Sequence, residues 1–196
     1  MNIDNISNED PYKILKYFYL KAIEKDQSSI EAFLIASYSM NFGVNCRYVN
    51  LKFIKENEFI FFSNYESNKA KQFLENDRIS TLIYWNKVHV QIRMTGTVSK
   101  KSADFNNIYF RSRSKEKNAL SISSSQSKRV NSYEDVIKSY DTVFRSNDLY
   151  KCPDYWGGYS FIPDFFEFWE GDINRINKRT CYERQEDGWI KYYLEP

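Results

Sequence analysis

The sequence predicts a mainly β, α+β fold, an antiparallel barrel with helices at its periphery. Three features carry that expectation. Short β-branched and aromatic runs recur between turn residues across 32–98. One of them, Val88 to Thr95, alternates apolar and polar side chains with the period of two that a half-buried strand requires. The segment before them instead repeats its apolar residues at helical spacing.

Met1 to Asp10 is polar and acidic, lacks the apolar core of a signal peptide and reads as a flexible arm. Asp10-Pro11 supplies an N-cap acid followed by a proline suited to the first helical position. Ile14, Leu15, Phe18, Tyr19, Ala22 and Ile23 then continue an amphipathic helix over 11–25. Strands are expected at 32–38, 48–54, 59–63, 79–85 and 88–98, with turns such as Lys55-Glu56-Asn57-Glu58 and Asn86-Lys87 between them. In the last strand Val88, Val90, Ile92 and Met94 share one face, and His89, Gln91, Arg93 and Thr95 the other. A short helix capped by Ser67 is expected over 67–76, with further helices over 99–120 and 133–145. Strands resume at 159–162 and 165–170, and a final pair at 175–184 and 189–194 is joined by Gln185-Glu186-Asp187-Gly188. No repeat or linker divides the chain, so 1–196 is expected to form a single domain. Ser121 to Ser127 is its one biased segment, read as a loop.

Composition excludes several functions. The 28 Lys and Arg against 26 Asp and Glu leave a formal charge of +2, with no excess of cations for a nucleic-acid backbone. No apolar run approaches the ~20 residues that cross a bilayer, so a soluble cytoplasmic protein is expected, with neither a nucleic-acid nor a membrane partner. The three cysteines, Cys46, Cys152 and Cys181, are odd in number and far apart, which argues for thiols rather than a disulfide framework. With His89 the single histidine, a Cys/His metal site is not expected, and a Ser-His-Asp triad would rest on that one imidazole. The 16 tyrosines, 15 phenylalanines and 4 tryptophans suit a core and could also wall a flat ligand.

No glycine-rich phosphate loop is present. A phosphate could instead meet the helix that starts after Ser67, where Asn68 and Lys69 sit beside free amide donors; the plainer reading makes Lys69 a solvated surface residue. Arg47 and Lys52 end one strand, but their odd spacing turns them to opposite faces unless the strand twists or bulges. Tyr109-Phe110-Arg111-Ser112-Arg113, followed by Lys115 and Lys117, reads either as an anion clamp or as a solvated helix face. Trp156 and Trp169 read as core, and Gly157-Gly158 as a bulge or a close backbone approach. Composition and periodicity name no reaction.

Taken in order, these segments resemble the pyridoxine/pyridoxamine 5′-phosphate oxidase family, flavin mononucleotide (FMN) enzymes built on a split β-barrel. The resemblance runs through Asp10-Pro11, Arg47-x-Val49-x-Leu51-Lys52, Phe62-Ser63-Asn64, Ser67-x-Lys69-Ala70, Gln91, Tyr109-Phe110-x-Ser112-Arg113, Gln126-Ser127, Trp156-Gly157-Gly158, Glu167-Phe168-Trp169-x-Gly171, Arg175, Arg179 and the closing Leu194-Glu195-Pro196. It implies a homodimer with FMN at the interface and residues 155–196 as the dimerisation and active-site region. The run Arg47, Tyr48, Val49, Asn50, Leu51 and Lys52 would hold the cofactor from one subunit together with Phe62, Ser63, Asn68 and Lys69. Gln91, Gln126, Ser127, Trp169 and Arg179 would close the site, largely from the partner. Lys52, Tyr109, Arg113 and Lys117 would bind the substrate phosphate, with Arg175 and Asn177 over the pyridine ring in the catalytic positions. The implied reaction is FMN-dependent oxidation of pyridoxamine or pyridoxine 5′-phosphate by O2, releasing peroxide. Oxidation of another ring, as in phenazine biosynthesis, and a non-catalytic flavin- or pyridoxal-phosphate-binding protein are the alternatives. Three positions depart from the family pattern: Asn177 replaces the histidine of R-x-H, Lys117 replaces a serine of the clamp, and Asn68 replaces the arginine before the helix lysine.

Overall fold

The computed structural model describes residues 1–146 and 148–196. Its strands are β1 (Asn2–Ile6), β2 (Ala32–Ser39), β3 (Gly43–Glu56), β4 (Glu58–Asn64), β5 (Arg78–Trp85), β6 (Val90–Lys100), β7 (Trp156–Glu170), β8 (Lys178–Gln185) and β9 (Gly188–Leu194). The helices are α1 (Asp10–Glu24), α2 (Asn68–Glu75), α3 (Ala103–Ser112), α4 (Lys115–Ser123) and α5 (Tyr133–Ser146). Six strands pair antiparallel in a closed ring, β3-β2-β5-β6-β7-β4 and back to β3. β7 is long enough to serve two neighbours in succession: its first half pairs with β4, and its second half leaves the ring to pair with β8, which carries β9. The result is the expected mainly β barrel with helices around it.

Much of the aromatic content fills the ring. Phe33, Phe59, Phe61, Phe161 and Phe166 are fully buried, with Phe33 stacked on Phe59 at 6.0 Å between centroids. Helix α1 covers this cluster with Tyr12, Leu15 and Phe18, and the Tyr12 ring meets Phe166 edge-on at 5.2 Å. Each buried ring is worth roughly 1.5–3 kcal/mol of transfer free energy, so the barrel can hold polar groups at its mouth.

Several boundaries differ from the sequence expectation, each for a local reason. The expected flexible arm is instead β1, which pairs parallel with the end of β3, buries Ile3 and is pinned by the Tyr19 hydroxyl donating to the Met1 carbonyl at 2.8 Å. Its polar residues hid a ladder made by backbone groups. The N-cap of α1 is Glu9 rather than Asp10, and the Glu9 carboxylate accepts from Trp189 Nε1 at 3.0 Å and from Arg184. β3 begins at Gly43, earlier than expected, and β6 begins at Val90, because Val88 lies in a 3-10 turn that ends on left-handed His89. The expected helix 99–120 is two helices broken at Arg113-Ser114, where both residues are extended and Ser114 starts α4. The segments 159–162 and 165–170 are one strand running through Pro163, and β8 starts only at Lys178 because 172–177 forms a turn.

Pro163 is tolerated because β6 and β7 slip register between Thr95 and Gly96, so the missing donor falls at an irregularity. Gly96 is required at the same place: a Cβ there would lie 2.1 Å from the Ile162 carbonyl oxygen, which is backbone and cannot yield. Gly96→Ala is therefore expected to destabilise the protein by about 3 kcal/mol, read as a lower urea midpoint at unchanged slope.

Candidate functional site

One face of the barrel opens into a cleft of about 910 Å³. β3 supplies Arg47, Tyr48, Val49, Asn50 and Lys52 to its lining, β4 supplies Phe62 and Ser63, and α2 supplies Asn68 and Lys69. Tyr109 comes from α3, Arg113 and Lys117 from the α3–α4 break and α4, and Gln126 and Ser127 from the loop beyond. Leu51 is the exception in the β3 run, since its side chain is 1% exposed and belongs to the core. The odd spacing of Arg47 and Lys52 is resolved by a bulge: Leu51 pairs with Phe61 but Phe53 with Ile60, leaving Lys52 as the extra residue.

At one end of the cleft Lys69 is 8% exposed, and its ammonium donates to Ser63 Oγ at 2.8 Å and Ser67 Oγ at 3.3 Å. No carboxylate lies within ion-pair distance of Lys69 or Arg47 among the described residues. Burial, and secondarily Arg47, push the Lys69 ammonium down to about 8. Arg47 is itself aimed by two buried side chains, donating to Ser37 Oγ at 2.5 Å and Gln72 Oε1 at 3.0 Å, while Ser37 donates to the same Gln72 oxygen at 2.5 Å. Burial lowers the Arg47 guanidinium from its ordinary value too. Gln126 Oε1 accepts from Ser63 Oγ and from the Asn64 amide, both at 3.3 Å, and fastens the loop to this end. Ser67 is the N-cap residue of α2, yet its hydroxyl donates back to the Asn64 carbonyl at 2.8 Å and caps none of the first-turn amides.

The other end is aromatic and cationic. Phe62 stacks on Tyr109 at 3.9 Å and on Trp156 at 5.1 Å, all three rings nearly parallel, and the Arg113 guanidinium lies over Trp156 at 4.4 Å. Lys52 and Lys117 complete this end. Burial lowers the Lys52 ammonium, Glu31 partly offsets it, and Lys117 and Arg113 lower it further. Trp156 is thus both buried and part of the cleft wall. Gly157 follows it because Asn106 Nδ2 and the Tyr65 hydroxyl each lie 2.2 Å from where its Cβ would be.

The remaining candidate residues sit elsewhere. Gln91 on β6, Trp169 on β7 and Arg179 on β8 are direct cross-strand partners, which sets the three side by side in one row. Arg179 Nε donates to Glu167 Oε1 at 2.7 Å, and Arg93 binds the other oxygen of the same buried carboxylate. Burial alone would raise Glu167, but those hydrogen bonds outweigh it and hold its carboxyl below the ordinary range. A second concavity, of about 800 Å³, is lined by His89, Trp169, Arg175 and Asn177 among others. Arg175 has left-handed backbone, φ 64°, in a turn where Asn177 Oδ1 accepts from the Asp172 amide at 3.1 Å. Within this chain, then, Arg175, Asn177 and the Gln91–Trp169–Arg179 row do not meet the first cleft. Gln126 and Ser127, expected largely from the partner, instead line this chain's own cleft, because the loop after α4 folds back onto β4.

Residues 20–139 match the sequence profile of "Pyridoxamine 5'-phosphate oxidase", and residues 156–196 that of "Pyridoxine 5'-phosphate oxidase C-terminal dimerisation region". The pyridoxine/pyridoxamine 5'-phosphate oxidase of Colwellia psychrerythraea is 32% identical over 194 residues, 97% of this chain and 88% of that protein. The chain belongs to the pyridoxine/pyridoxamine 5′-phosphate oxidase family. A further member of this oxidase family, from Coxiella burnetii, is 32% identical over 190 residues, 95% of this chain and 96% of that one. Among solved structures, PhzG from Burkholderia lata 383 in complex with tetrahydrophenazine-1-carboxylic acid aligns at a TM-score of 0.89 with 23% identity, covering 96% of this chain and 93% of its own. A pyridoxamine 5'-phosphate oxidase-related, FMN binding protein from Nostoc punctiforme aligns at 0.78 with 14% identity, covering 96% and 99%. These establish the fold of this oxidase family, the split barrel. Among the described residues no helix is long and apolar enough to cross a membrane.

Sequence reasoning missed Ser37, Gln72 and Glu31 at this site. Gln72 lies one helical turn beyond Lys69, a spacing that could have flagged it, whereas Ser37 is brought in only by the β2–β3 register. Because Lys69 is lowered in the folded state, the unfolded chain binds the additional proton between about pH 8 and 10.5, and the ligand-free protein gains stability as pH rises through that window. Against Lys69→Met, ligand-free wild type is expected to gain up to roughly 3 kcal/mol from pH 7 to 10.5 in chemical denaturation. Anion binding at this end, which needs the ammonium, is expected to weaken above about pH 8.

Proposed function

We propose that the chain is an FMN-dependent oxidase that converts pyridoxamine or pyridoxine 5′-phosphate to pyridoxal 5′-phosphate, with O2 reduced to hydrogen peroxide. The observation that carries this reading is the division of the cleft's charge. Five cations line it against Glu31, the single acid in its lining among the described residues, and they fall into two groups. Arg47 and Lys69 form one; Lys52, Arg113 and Lys117 form the other, with the Phe62–Tyr109–Trp156 stack at their side. Two anionic groups on flat molecules suit this arrangement: the phosphate of FMN at the first group and the phosphate of a pyridine substrate at the second.

The residues fit FMN on structural grounds. Lys69 is a buried ammonium with hydroxyls as partners and no carboxylate, beside the uncapped first-turn amides of α2, and a phosphate there would supply the missing charge. Arg47, Asn68, Ser63 and Lys69 would hold the phosphate end, with Tyr48, Val49, Asn50 and the Leu51 backbone along the molecule and Gln126 and Ser127 closing over it. Asn68 supplies a neutral amide where the family pattern has a second cation. Bound FMN supplies hydride acceptance from the substrate carbon and reoxidation by O2.

The chain's own residues bind and orient. Lys52, Tyr109, Arg113 and Lys117 would anchor the substrate phosphate, and three cations favour a dianion over a ring carboxylate, which is why a phosphorylated vitamer is preferred to a phenazine acid. Arg175 and Asn177 lie in the region that matches the family's dimerisation profile. In a homodimer the partner's turn would bring them, with Trp169, Gln91 and Arg179, over the first cleft. Asn177 carries no titratable proton, so its part is restricted to hydrogen bonding.

The purified protein is expected to be yellow, to run as a dimer and to release peroxide with either vitamer. A colourless monomer that refuses added FMN would overturn the proposal, and a stable flavin that neither vitamer reduces anaerobically would overturn the substrate and leave an oxidase of another ring or a binding module. Arg47→Ala and Lys69→Ala are expected to lose FMN, whereas Arg113→Ala keeps flavin and raises KM for the phosphorylated vitamer at least tenfold.

A further inference from the structure

We infer that Ser121 and Trp156 are positioning residues for Arg113 and thereby set the affinity of the cleft for its substrate's phosphate, an inference that rests on the substrate reading above. Arg113 follows α3 in extended conformation, φ −81° and ψ 158°, so no helical turn restrains its long side chain. A guanidinium on such a long, flexible stem has rotamer freedom to lose on binding an anion. Here it is fixed beforehand from three sides. Nη1 donates to Ser121 Oγ at 3.0 Å, Nη2 donates to the Lys117 carbonyl at 3.0 Å, and the plane rests on the Trp156 ring at 4.4 Å.

Both supports are themselves held. Trp156 is 6% exposed, stacked on Phe62 and met edge-on by Phe110 at 5.0 Å. The Ser121 hydroxyl donates to the Lys117 carbonyl at 3.0 Å, one turn back, so its proton is committed and a lone pair is turned to Arg113. Arg113 has five N–H donors, and two are used on these supports, which leaves three for an anion. This assigns a task to the start of the serine-rich segment: Ser121 belongs to α4 and to the clamp, while Ser123 and Ser124 are engaged through their carbonyls by Ser139 and Asn64.

The test compares flavin-loaded wild type with Ser121→Ala and Trp156→Leu, and with Ser121→Thr and Trp156→Phe, which keep a hydroxyl and an aromatic face. Steady-state KM and kcat are measured for pyridoxamine 5′-phosphate and for unphosphorylated pyridoxamine, and inorganic phosphate binding is measured by calorimetry. Ser121→Ala and Trp156→Leu are expected to raise KM for the phosphorylated substrate about tenfold; in Ser121→Ala the loss falls in KM rather than kcat and is absent for pyridoxamine. The two conservative variants are expected to recover most of the loss. Added to Arg113→Ala, neither change is expected to weaken binding further. Equal losses for both substrates in Ser121→Ala, or an unchanged KM in that variant, would overturn the inference. If Trp156→Leu does not fold, Ser121→Ala decides alone. If wild type oxidises neither vitamer, the substrate reading fails and phosphate affinity judges the cradle: the same tenfold weakening supports it, and equal affinity in wild type and variants overturns it.

Discussion

Two cations held away from water without a carboxylate, Lys69 and Arg47, are the constraint around which the mouth of this barrel is arranged. Desolvating an ammonium with hydroxyls as its partners costs several kcal/mol that the aromatic core must offset. The surroundings are built to keep the charges where they are. Ser63 and Ser67 accept from Lys69, Ser37 and Gln72 accept from Arg47, and Gln126 ties the loop after α4 to the strand that carries Ser63. None of these acceptors is anionic. A bound anion would therefore meet full positive charge, undiminished by an internal counter-ion, and the folded state without it is left strained by its own electrostatics.

The opposite device operates across the sheet. Glu167, buried on β7, takes Arg93 from one neighbouring strand and Arg179 from the other. This pairing satisfies both oxygens and fixes Arg179 beside Trp169 and Gln91, so that row is rigid before any ligand arrives. The molecule thus treats its arginines in two ways: those in the first cleft are held by neutral groups and remain electrostatically available, while Arg179 is neutralised and serves as a shaped donor.

How much of this was legible in the sequence depended on which physical signal each residue gave. The β6 alternation read correctly because burial on one face imposes a period of two, and the α1 stripe from Leu15 to Ala22 because one helical face covers the core, although Ile23 lies exposed beyond it and the buried Tyr12 was not singled out. Arg113 was legible as a cation near aromatics, but its place at a break between helices was not, since Ser114 starting α4 looks like any interior serine of a longer helix. Trp156 was read as core and is core, yet its outer face also walls the cleft, a double role that hydrophobicity alone does not display. The bulge at Lys52 could be posed only as a condition, because register between β3 and β4 is a property of two strands and neither sequence states it. The first ten residues misled for the same reason: a polar stretch can join a sheet through its backbone.

That N-terminal strand has a bearing on the rest of the barrel. β2 pairs with the first half of β3 and β1 with its last residues, so β1 masks the stretch of β3 that β2 leaves uncovered, on the strand that carries Arg47 and Lys52. Unzipped, that stretch would present bare amides and carbonyls to any extended chain nearby, an invitation to strand-swapping and clumping. The short leading ribbon is a selvedge that keeps the fabric from fraying.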